Sequence, residues 1–96
     1  MSTRAVFKFR LYIAGDTPNS TLALANLRAL CATHLAGRHE IEVVDVFREP
    51  LRALADGIYL TPALLKLSPA PVRRVVGTLT QSQPLLQALG LALGLA

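Results

Sequence analysis

The chain has no tryptophan, two tyrosines, three phenylalanines and a single cysteine, Cys31. A lone thiol cannot close an internal disulfide, cannot hold zinc alone and cannot form a Cys-x-x-Cys redox pair. So few aromatics give no platform on which RNA bases could stack. Acidic residues are also scarce: six Asp and Glu stand against ten Lys and Arg, for a net charge of +4 and a pI near 10.0. The basic residues are dispersed rather than run together. That pattern favours solubility or an acidic protein partner over nucleic acid. Long hydrophobic runs are missing too. Lys8 and Arg10 interrupt the N-terminal MSTRAVFKFRLYI, so it lacks a signal-peptide core. The apolar stretch from Leu85 onward is broken by Gln87, Gly90 and Gly94 and is too short to span a bilayer. The expected setting is the cytoplasm, with no membrane partner. No glycine-rich phosphate loop and no metal-ligand spacing occur, so no cofactor and no metal are expected.

What is present suits a single domain over residues 1–96, with 52% apolar residues to supply a core. Residues 6–13 alternate. Phe7, Phe9, Leu11 and Ile13 fall on one face, and Lys8, Arg10 and Tyr12 on the other, as in a strand with one fully apolar side. The stretch 14-AGDTPNS-20 then leads into a helix, with Gly15 at the turn, Thr17 as N-cap and Pro18 at the first helical position. Ser20, Leu24, Leu27, Cys31 and Leu35 share a helical face flanked by Ala23 and Leu30, with His34 at its edge, and Gly37 is the expected C-cap. Cys31 therefore reads as a small core residue.

Residues 40–47 (EIEVVDVF) form a second strand that reads as parallel and interior because Val43, Val44 and Val46 make both faces apolar. Asp45 within it is expected to make a local hydrogen bond or ion pair. Glu49-Pro50 opens a short helix closed by Gly57. The run 63-ALLKL-67 fits a strand or a helix equally. The run 72-VRRVV-76 reads as a strand ended by Gly77, although Pro71 could also start a helix. A last helix begins near Ser82 and carries Leu85, Leu89 and Leu93 on one face. Its nearly all-round apolar tail implies deep burial or self-association. The resulting order, β-α-β-α-β-β-α, is an α/β, thioredoxin-like arrangement with a small mixed sheet. Thr61-Pro62 falls at the start of its third strand, where a cis proline is expected.

Three stretches, 11-LYIAGDTPNS-20, 43-VVDVFREP-50 and 61-TPALLKLSPAPVRRVVGTL-79, together resemble the KaiB family. Gly15, Thr17, Pro18, Asn19, Pro62, Pro71 and Gly77 carry that signature. The resemblance implies a regulator that is not an enzyme. It would bind a KaiC-like hexameric ATPase and modulate its signalling output, in circadian-like timing or stress adaptation. A histidine kinase or other clock-output protein is a further implied partner. The resemblance also implies a second, oligomeric resting fold, β-α-β-β-α-α-β, a dimer or tetramer sharing only the first half of the chain. Thr78 after Gly77 and the missing acidic tail depart from the clock proteins of this family. The expected contact residues are Lys66, Arg73 and Arg74, with Lys8 and Arg10 secondary.

Overall fold

The computed structural model describes residues 6–90, the side chain of Ser82 excepted. The expected place of Leu93 on the last helix, and the rest of the apolar tail, lie outside that range. The elements follow the expected order: β1 (Phe7–Ile13), α1 (Pro18–His34), β2 (His39–Asp45), α2 (Pro50–Ala55), β3 (Ala63–Ser68), β4 (Arg73–Val76) and α3 (Ser82–Ala88). The sheet order is β2-β1-β3-β4. β1 pairs parallel with β2, in register Phe7↔His39 to Ile13↔Asp45. It pairs antiparallel with β3, and β3 pairs antiparallel with β4.

The alternation along β1 creates two cores. Phe7, Phe9 and Leu11 join α1 and α3 through Leu27, Leu30, Cys31, Leu85, Leu86 and Leu89, with Leu64 of β3 between them. On the opposite face Tyr12, Val44, Ala63 and Leu65 meet Ala53 of α2 and Ile58. Leu27, Leu64 and Leu89 are fully buried, and each such side chain contributes about 1.5–3 kcal/mol by leaving water. Tyr12 is fully buried as well, so the second face of β1 is better covered than its two cations suggest.

Several local expectations need correction. β2 is an edge strand, and it ends at Asp45 rather than Phe47. Its apolar residues are divided by depth: Val44 is buried beneath α2, while Val43 is exposed. Thr17 is the N-cap residue, but its hydroxyl makes no capping bond to the helix backbone. It donates instead to Ser20 Oγ at 2.8 Å. Gly37, in the left-handed region at φ 73°, lies two residues beyond the C-cap, which is Leu35. Arg38 N–H closes that turn on the Leu35 carbonyl. The ambiguous 63-ALLKL-67 is strand because β1 and β4 bond it from both sides, and Pro71 lies in the β3–β4 connection. The Thr61-Pro62 bond is cis, as expected.

Candidate functional site

At the β1–α1 junction the chain makes a closed polar corner. Ala14 N–H donates to Ser20 Oγ at 3.0 Å, and Gly15 N–H donates to Asp45 Oδ1 at 3.3 Å. Phe47 N–H donates to the same carboxylate oxygen at 2.9 Å, which is the local role expected for Asp45. Gly15 sits at φ 56°, with the Phe47 ring 3.5 Å from where a Cβ would stand. Tyr12 pairs with Ala63, so the cis Pro62 lies beside the end of β1 where this corner begins. The corner holds hydroxyls and a carboxylate but no thiol. Cys31, further along α1, is buried in the core, and burial pushes its thiol up to about 11. A thiolate, the species that attacks a disulfide, is not available there. Among the described residues no group of His, Cys, Asp or Glu could hold a metal ion.

A second constellation lies on the opposite face and holds α2. Arg10 Nε donates to Glu42 Oε1 at 2.8 Å, and Arg10 Nη1 donates to Asp56 Oδ2 at 2.9 Å. The Tyr12 hydroxyl donates to Asp56 Oδ2 and also lies 3.2 Å from the Arg52 carbonyl. Arg52 bridges Glu42 at 2.8 Å and Glu49 at 3.2 Å. Arg74 reaches over from β4 and donates to the carbonyls of Gly57, at 2.9 Å, and Asp56, at 2.6 Å. Those carbonyls close the C-terminal end of α2, where a cation is favoured. The Tyr12 hydrogen bond, helped by Arg10, holds the Asp56 carboxyl below the usual aspartate range. The Glu42 carboxyl is lowered by Arg10 and Arg52.

A depressed folded-state pKa gives a definite sign. The stabilisation from Asp56 is present above its unfolded value, about 3.9. It is lost as pH falls through the lower folded value. The Asp56→Asn variant should therefore lose about 1–3 kcal/mol at neutral pH. Its stability should also change less than the parent's between about pH 4 and pH 2. Urea melts across that range measure both effects.

This clamp matters because apolar contact holds α2 only weakly. Ala53 is its one buried residue. Leu51 and Leu54 face outward at 78% and 61% exposure. Phe47, Tyr59 and Leu60 on the flanking turns are also exposed, Tyr59 at 82%. Five large apolar side chains thus meet solvent between Phe47 and Leu60, in a form the polar clamp fixes. A small hollow lined by Gly57, Ile58, Tyr59, Leu60, Ala63, Arg74 and Val76 adjoins it.

The five expected contact residues are not brought together. Lys8, Arg10 and Arg74 lie on the α2 face, whereas Lys66 and Arg73 lie on the α1/α3 face, as the strand registers require. Arg10 and Arg74 are occupied as clamps. Lys8 and Arg73 are exposed, and Lys66 is buried at 3% exposure, so its ammonium is withdrawn from any contact edge. The exposed hydrophobics went unread in the sequence because a Leu on a short helix looks like core. The available signal was Leu51 and Leu54 at i, i+3, with Ala53 the one apolar residue between them to face the sheet.

Fold and corner define a thioredoxin-like domain whose usual reactive junction carries no thiol. The fold is shared with chloroplastic thioredoxin z (TM-score 0.71, 20% identity, 91% of this chain and 78% of that one). It is also shared with the N-terminal domain of SasA from Synechococcus elongatus (TM-score 0.73, 19% identity, 94% of this chain and 89% of that one). The KaiB domain model matches residues 10–91. The circadian clock oscillator protein KaiB of Synechococcus sp. strain RCC307 is 42% identical over 91 residues, 95% of this chain and 83% of that protein. The chain belongs to the KaiB family.

Proposed function

We propose that the chain docks on the ring of a KaiC-type hexameric ATPase and modulates its signalling output, without catalysing a reaction of its own. The observation that carries this reading is the exposed apolar strip from Phe47 to Leu60 on a scaffold whose β1–α1 corner has no thiol. Exposed large apolar residues gathered in one segment mark a protein contact rather than a small-molecule site. α2 presents Leu51 and Leu54, and Tyr59 and Leu60 extend the surface, as an aromatic and aliphatic interface core requires. Arg10, Arg52 and Arg74 serve this contact by fixing α2, while Lys8 and Arg73 remain exposed charges for electrostatic steering. The arginine charge consumed by the clamp also argues against a continuous track for nucleic acid. Among the described residues no helix is long and apolar enough to cross a membrane. Hydrogen exchange on the chain with and without the ring is the test. Protection over residues 47–60 is the expected result.

A further inference from the structure

β3 places a lysine where its face calls for a core residue. Lys66 pairs with Phe9 on β1 and with Arg73 on β4, and shares the α1/α3 face with the fully buried Leu64. The side chain is 3% exposed. Among the described residues its one hydrogen bond runs to the Leu89 carbonyl at the end of α3, at 3.4 Å, and its ammonium stands 5.8 Å from the centre of the Phe7 ring. Among the described residues no carboxylate forms an ion pair with it. α3 (SQPLLQA) bears no charged side chain. Glu42, Glu49 and Asp56 are engaged by arginines, and Asp45 by the Gly15 and Phe47 amides, while Glu40 pairs in register with Lys8 and Asp16 is exposed in the β1–α1 turn. The neighbouring charges have the same sign: Arg73 lies across on β4, and Arg38 stands 5.9 Å from the Phe7 ring. Cys31, in the same core, keeps its proton. Burial, then Arg73, pushes the Lys66 ammonium below the usual lysine range.

A buried cation met only by a helix end and a ring face is poorly compensated. Meanwhile α3 is seven residues long and is held by Leu85, Leu86 and the following Leu89. Opening α3 would return the ammonium to water and recover its hydration. We propose that Lys66 is a conformational trigger: its uncompensated buried charge keeps α3 poised to undock from the sheet, and undocking uncovers Lys66 together with the apolar face around Leu64. α3 is then the unit of this fold with the lowest opening free energy, well below global unfolding. The surface it uncovers lies on the opposite side of the sheet from α2.

Two measurements test this. In Lys66→Met, a volume-matched apolar replacement, α3 amide exchange should slow by about tenfold or more while β1 and α1 change little. Unchanged or faster α3 exchange would make Lys66 a clasp instead and overturn the proposal. The second measurement uses the unaltered chain, so it stands even if the variant misfolds. The chain has only two lysines, Lys8 and Lys66. A small amine-reactive reagent should modify the exposed Lys8 at once and Lys66 at the rate at which α3 amides exchange. Modification of Lys66 only at the rate of global unfolding would contradict the trigger.

Discussion

The double variant Leu51→Glu, Leu54→Glu should lose ring binding by at least ~100-fold, or about 2.7 kcal/mol, with little change in melting temperature. Both side chains are largely in solvent in the free chain, so removing them takes nothing from the core. Glutamate is a good helix former, and surface exchanges of this kind usually cost within about 0.5 kcal/mol. At an interface the same exchange is severe. Two apolar anchors, each worth about 1–2 kcal/mol or more, would be replaced by charges that must be desolvated to dock. Titration of the ring with labelled chain reads the affinity, and a thermal melt reads the fold. Undiminished affinity would take α2 out of the contact.

The second large effect is on stability, and it separates two residues four apart. Leu64→Ala should destabilise the chain by about 3 kcal/mol, whereas Leu60→Ala should cost about 0.5 kcal/mol or less. For a domain of this size the first corresponds to a fall of roughly 12–24 °C in melting temperature. Leu64 is fully buried between β1, α1 and α3, and its truncation leaves a cavity that close packing cannot refill. Leu60 is 66% exposed. Were residues 60–67 helical, positions 60 and 64 would share a face and respond alike. Unequal costs are the signature of the turn and strand observed here. Equal costs from denaturant melts would contradict β3.

The contrast also explains what was legible in the sequence. β1 and α1 each carry one clear period, and the structure places them within a residue or two of expectation. The segment from Pro50 to Val76 carries no dominant period. ALLKL becomes strand through hydrogen bonds to partners far away in sequence, which local pattern cannot show. β2 misled in the other direction. Its valines suggested an interior strand, but one valine serves the α2 core while Glu40 and Glu42 mark an open edge. The clamp was illegible because Arg10 and Asp56 meet across a separation of 46 residues. Lys66 misled because a strand lysine ordinarily implies solvent, whereas here the end of α3 and the Phe7 ring lie against its ammonium.

The contact proposed for this KaiB-family chain is with a KaiC-type ATPase ring, through the α2 strip. The most direct measurement is amide hydrogen exchange of the chain, free and saturated with the hexameric ring. Exchange should slow chiefly between Phe47 and Leu60, with the Ala14–Ser20 corner little changed. Absence of any complex, or protection confined to β4 and α3 while 47–60 exchanges as in the free chain, would contradict it.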